Sequence, residues 1–378
     1  MTTTSTERPA TDLLYSEQEE FLRETVRDVL NKGCDWTAVL ALTESESSLD
    51  RTLWRTLAAE VGGAALALPE DVGGAGASWR ETAVLLEELG RSLAPVPYLG
   101  SAGVATVYAQ QIGAADLLTK LAAGDMIAAV AVPAGAPWFR PLEPTVTVTD
   151  STLTGAVATV ADASAADTLL VPVGEDTYLV EVAAVGVRCT PVVSLDETRP
   201  LVDIEFNAAP ARRLESSRPA GAATAAALRA GAALLASEQL GLAEHCLAAT
   251  VEYLGVRRQF GRVLGSYQAL KHRLADLWVE INQARAAARY AAHCLATGSD
   301  DLDVAAAVAH SWCSEVAVHA AEEYVQLHGG IGFTWEHPAH LYLKRAKSSM
   351  LMFGGPDVHR TYLAGLIDLP LPTVENIR

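Results

Sequence analysis

The chain has 378 residues, half of them hydrophobic and 6% aromatic, with a formal net charge of −18 at pH 7. That length exceeds one ordinary core and implies two or three domains, and an Ala-rich, aromatic-poor composition favours helices packed through small side chains over an all-β architecture. The acidic balance argues against a nucleic-acid or anionic-membrane partner, so any anionic ligand has to meet a local concentration of Arg and Lys.

Residues 1–12 read as a disordered tail, without the apolar stretch of a signal segment. No run of about 18 apolar residues stands out as a membrane span. The five cysteines, Cys34, Cys189, Cys246, Cys294 and Cys313, are scattered and show neither CxxC nor CxxH spacing. They read as buried reduced thiols rather than a metal site, which fits a cytoplasmic protein.

Residues 13–122 are expected to form an N-terminal helical domain. SEQEEFLRETVRDVL offers Ser16 as N-cap, acids in the first turn and Phe21, Leu22, Val26, Val29 and Leu30 at helical spacing. SLDRTLWRTLAAEV repeats the pattern, ALPEDVGGAGAS is a Gly-rich loop, and WRETAVLLEELGRSLAP is a helix stopped by Gly90 and Pro95. The texture changes at 123–216, where short Val- and Thr-rich runs alternate and are broken by Gly, Pro and Asp, the mark of a β domain. The last domain, 217–378, carries helical patterns near 222–257, 265–297, 301–328 and 338–353, long enough to pack as an antiparallel bundle.

Three stretches of that bundle carry chemistry. VRRQFGRVLGSYQALKHRLADL places an Arg pair and an aromatic ring at a helix end, suited to a pyrophosphate and a flat ring, though a capped helix with solvated arginines has the same pattern. QLHGGIGFTWEHP offers an amide and two glycines that let backbone approach a ligand, or simply a helix C-cap. KSSMLMFGGPD runs a helix into two glycines and a proline, with no acid before Asp357.

Together with the order helices, strands, helical bundle, these stretches resemble the flavin-dependent acyl-CoA dehydrogenase family, as does LALPEDVGGAGASWRETAVLLEELGR. The resemblance implies a mainly α fold with a middle β-barrel-like domain and a C-terminal four-helix bundle. It implies FAD bound across a subunit interface by Arg257, Gln259, Phe260, Gln268, Gln326, Gly329 and Gly330, hence a dimer or tetramer acting on an acyl-CoA in fatty acid or sterol side-chain degradation.

The family's reaction needs a carboxylate to take the proton next to the thioester while a hydride leaves for the flavin. Where the family carries Tyr-Glu-Gly-Thr, this chain has Phe353, Gly354, Gly355 and Pro356. An alternative base position on the first bundle helix matches Gly231, in LRAGAALLAS, again without an acid. Glu238 shares that face but lies about 10 Å further along the axis; it is a candidate displaced base or an Arg-paired structural residue. Asp357 is a weaker candidate, and Glu252 and Glu315 read as solvated or ion-paired. The family's Thr-Glu-Pro and aromatic-Ile-Thr segments, which meet the flavin ring, appear only as AVPAGAPWF and GAVATVADASAAD.

Contacts donated to a neighbour's flavin are thus kept, while those to the chain's own ring are lost. The pattern is similar to non-catalytic subunits of actinobacterial hetero-oligomeric dehydrogenases, in which a partner supplies the Glu; in this chain the small residues Gly100, Ala102, Ala222 and Gly231 permit a wide site without proving one. Alternatives are a self-sufficient homo-oligomer using Glu238, a flavin-free acyl-binding scaffold, and a flavoprotein of oxygen or reductive chemistry that needs no α-proton base.

Overall fold

The computed structural model describes residues 12–45 and 49–369, so nearly all of the expected tail lies outside the described residues. The first helix, α1 (Glu17–Gly33), starts at Ser16 in a full capping box with Glu19. Its core face is Val26 and Leu30, whereas Phe21, expected on that face, is 72% exposed. Short helices α2 (Trp36–Thr43) and α3 (Arg51–Arg55) follow, then α4 (Trp79–Ser92), α5 (Thr106–Ile112) and α6 (Ala115–Ala122).

Gly90 does not stop α4, as its helix-breaking reputation suggests. The helix runs on to Ser92 and ends at Leu93, which takes the left-handed conformation at φ 51°. Gly90 instead lets another helix in: a Cβ there would stand 1.9 Å from the Glu238 carbonyl oxygen.

Eight strands follow: β1 (Ala128–Val130), β2 (Val146–Thr149), β3 (Thr152–Ala161), β4 (Thr168–Val173), β5 (Asp176–Glu181), β6 (Val187–Pro191), β7 (Leu201–Pro210) and β8 (Arg212–Leu214). They form two four-stranded sheets, β1-β4-β5-β8 and β2-β3-β7-β6, antiparallel except where β1 pairs with β4. In β7 the period of two is plain, with Val202, Ile204 and Phe206 buried and Glu205 and Asn207 facing out.

The bundle consists of α7 (Ala220–Val256), α8 (Gln268–Thr297), α9 (Leu302–His328), α10 (Ala339–Leu351) and α11 (Pro356–Leu366). A small hairpin, β9 (Arg258–Gln259) with β10 (Arg262–Val263), joins α7 to α8. Helix α7 is long and apolar enough on composition to cross a membrane, but 72% of its most apolar window is buried in the protein. It is the central core helix, packed on α4, α8, α9 and α10. Its approach to α4 depends on Gly241, where a Cβ would fall 1.7 Å from the Glu87 carbonyl oxygen.

Candidate functional site

Two separate places hold the residues singled out from sequence. The first is one end of the bundle. Because α8 and α9 run antiparallel, the start of α8 meets the end of α9, and Arg273 of α8 pairs with Glu323 of α9. The end of α7 joins them: the Tyr253 ring stacks on His328 with centroids 4.2 Å apart, and the Arg257 amide donates to the Tyr253 carbonyl at 2.9 Å. Arg257, Gln259, Phe260, Gln268, Gln326, Gly329 and Gly330 therefore gather on one surface, and all seven are exposed. Gly329 is also the C-cap of α9, at φ 65°, so the plain helix-end role of that Gly-Gly pair is fulfilled as well.

The hairpin loop carries two costs. Phe260 and Gly261 form its two-residue turn with φ of 51° and 80°; positive φ at both positions suits a tight hairpin, but a bulky residue there is strained. The Phe260 ring is also 89% exposed. Close to it in sequence are Arg257, Arg258, Arg262 and Lys271, all exposed, with the Arg262 guanidinium 3.7 Å from the Tyr267 ring centroid. In a chain of net charge −18, this is a local concentration of cations and ring faces.

The second place is a cavity between the sheets and α7. It is lined by Gly100, Val132, Pro133, Ala134, Asp162, Leu228 and Phe353, among others, so the segments matching the family's ring-contacting strands and its base turn do converge. The two candidate base positions also meet, since a Cβ on Gly231 would come within 2.7 Å of the Phe353 ring and 2.8 Å of Val104. Met352 and Phe353 reach the cavity from the turn; Gly354 has no side chain to project.

The cavity encloses about 400 Å³ of non-atom space, but the part in which a water-sized sphere can be centred is only about 30 Å³, so it is narrow. The small residues that permit a wide site do not by themselves make one here. The space beside Gly231 is taken by Phe353, and that beside Gly100 by the Asp162 carboxylate, whose Oδ2 accepts from the Gly100 amide at 3.1 Å. Ala222 lies on the exposed part of α7. Asp162 itself was missed from sequence, the only cue being an acid just past β3. Burial pushes its carboxyl up, with Arg199 and Arg345 partly opposing.

Glu238 is not poised as a base. It is buried between two guanidiniums: Arg199 Nη2 donates to Oε2, and Arg345 Nε donates to Oε1 at 2.9 Å. Arg345 also donates to Thr198 Oγ1 at 2.7 Å and lies 3.7 Å from Asp196. Burial alone would push the Glu238 carboxyl up, but Arg199 and Arg345 outweigh it and hold it below the usual carboxylate range. A carboxylate so paired is a poor proton acceptor. Asp357 points fully into solvent from the first turn of α11, and Glu315 is paired with Arg360.

A helical domain, a layer of two sheets and a C-terminal helical bundle, in that order, make the fold of the acyl-CoA dehydrogenases. Residues 16–125 match the acyl-CoA dehydrogenase N-terminal domain and residues 221–366 the acyl-CoA dehydrogenase C-terminal domain. The chain belongs to the acyl-CoA dehydrogenase family, whose members generally use FAD. It is 38% identical over 341 residues to acyl-CoA dehydrogenase IpdE2 of Mycolicibacterium smegmatis, covering 90% of this chain and 96% of that one. Among solved structures it is similar to a variant of the Tcur3481-Tcur3483 steroid ACAD, with TM-score 0.81, 32% identity, and 93% and 98% of the two chains covered. The ChsE4-ChsE5 complex from Mycobacterium tuberculosis matches with TM-score 0.83, 27% identity, and 96% and 100% covered.

Proposed function

We propose that this chain is a subunit of an acyl-CoA dehydrogenase that supplies no base of its own and completes the FAD site of a partner chain. The observation that carries this reading is the contrast between the two places described above. The exposed cation and ring surface around Phe260 fits the phosphates and adenine of FAD, while the narrow cavity of this chain is occupied beside Gly231 by the Phe353 ring and has no carboxylate at either base position, 231 or 354.

When bound, FAD accepts the hydride in α,β-desaturation of the thioester. This chain's part is to bind and orient: Arg257 meets a phosphate, Gln326 an adenine edge, and the Gly329–Gly330 backbone comes close to the dinucleotide. Proton removal falls to a carboxylate of the partner. The similar proteins of known structure include a pair of differently named chains, ChsE4-ChsE5, and one named a steroid ACAD. We infer a hetero-oligomer of dehydrogenase-family chains and an acyl-CoA bearing a sterol-derived group.

The test is purification alone and after co-expression with a dehydrogenase-family chain that carries the Glu. The chain alone is expected to be colourless, and the complex yellow and active. Arg257→Ala removes a charge-assisted bond worth about 1.5–3 kcal/mol, so FAD in the complex should bind about ten- to a hundredfold more weakly. Turnover of an acyl-CoA by the chain alone would reject the reading. Absence of flavin both alone and in the complex would favour the scaffold alternative.

A further inference from the structure

The turn that carries Phe353 is held more firmly than a helix end needs. Phe353 and Gly354 both have left-handed backbones, φ 55° and 97°. The Phe353 amide donates to the Ala134 carbonyl at 2.7 Å. Its own carbonyl accepts from His359 Nε2 at 3.0 Å, and the Gly354 carbonyl accepts from His310 Nε2 at 2.9 Å. A carbonyl only accepts, so each ring carries its proton on Nε2. Both histidines are fully buried, their centroids lie 4.5 Å apart, and Trp138 packs on His359 at 4.9 Å. Phe139, stacked on Tyr362 at 3.9 Å, closes the same wall.

We propose that Phe353 is a specificity-determining plug: its ring, seated against Gly231 and Val104 and fixed by His310 and His359, keeps an acyl thioester out of this chain's own pocket. The inference rests on the subunit reading and names what enforces it. Met352 and Phe353 both line the cavity, and it is the Phe353 ring that reaches the place beside Gly231 where a base on α7 or a substrate chain would stand. His310 and His359 are positioning residues, since they act on the ring only through the backbone carbonyls of residues 353 and 354.

The test uses the whole chain and a thioester lacking the nucleotide, butyryl-N-acetylcysteamine, so that the acyl pocket alone is probed. The wild type is expected to show no thermal shift at millimolar probe. Phe353→Ala is expected to melt lower but to be raised by several degrees on adding the probe. His359→Ala should gain a smaller shift, and His359→Gln, which keeps an N–H donor, should lose it again. A wild-type shift equal to that of Phe353→Ala overturns the proposal, as does a folded Phe353→Ala that gains none.

If Phe353→Ala does not fold, a double-mutant comparison decides. Gly231→Ala should lower the melting temperature less in a Phe353→Leu background than in the wild type, because the ring is what the new methyl meets. Equal losses overturn the proposal. FAD content of the complex is read in parallel: Phe353→Ala should leave it unchanged. Loss of flavin on Arg257→Ala reports on the subunit reading separately.

Discussion

Replacing Glu238 by Gln separates a structural acid from a catalytic one. The carboxylate is buried with side-chain exposure of 2%, against 3% and 2% for Arg199 and Arg345. Gln offers one accepting oxygen where two guanidiniums donate, and its NH₂ would face donors. Breaking a buried pair from one side costs about 3–5 kcal/mol. For a chain of this length unfolding as one unit, an unfolding entropy of about 0.8 kcal/mol/K turns that cost into a fall of about 4–6 °C in melting temperature. The difference should depend on pH in a stated direction. The folded carboxyl titrates below its ordinary value of 4.5, so the stabilisation is complete above that value and is lost as pH falls through the lower folded value. Calorimetric melts of both proteins across acid pH check this, alongside turnover of the complex at a temperature where both are folded. A variant melting within 1 °C of the wild type, yet without turnover, would refute the reasoning and restore Glu238 as a base.

Phe260→Asn should relieve the left-handed backbone of the hairpin, leaving the isolated chain as stable or more so while weakening FAD retention in the complex; a destabilised isolated chain would show the ring packs within its own fold. Gly241→Ala places a methyl 1.7 Å from the Glu87 carbonyl oxygen, so α7 and α4 must separate; denaturant unfolding should show a loss of about 1–3 kcal/mol or more, and an unchanged midpoint would contradict the close crossing. Burial lowers His310 to about 3, with the charge on His359 adding to it, and lowers His359 to about 4. The unfolded chain therefore binds protons first as pH falls through the ordinary His value of 6.5, and stability should drop by up to about 1.4 kcal/mol per pH unit for each ring between there and the folded values. Unfolding midpoints at pH 7 and 5 check this, and His310→Asn should flatten the slope.

Much of the fold follows from short-range pattern. The Ser16 cap, the Val26 and Leu30 face and the alternation of β7 are contacts between residues a few positions apart, which spacing expresses directly. The α-helical ends near 256, 297 and 328 were legible for the same reason, as was the lack of an acid in FGGP, residues 353–356. Phe21 and Gly90 misled because local pattern does not say what packs on the outer side of α1, or that α7 would approach α4 closely enough to need a bare Cα.

From residue types alone came the family resemblance, the want of a base at 353–356 and at 231, and the cationic character of the stretch after α7. Tertiary structure alone decided that Arg257 and Gln326 share one exposed surface, that Arg199 from the β layer joins Arg345 in enclosing Glu238, and that Phe353 fills the hollow at Gly231 rather than leaving it open. Whether a small residue makes a pocket depends on what the rest of the chain places beside it, and close packing leaves such space filled whenever a ring can reach it.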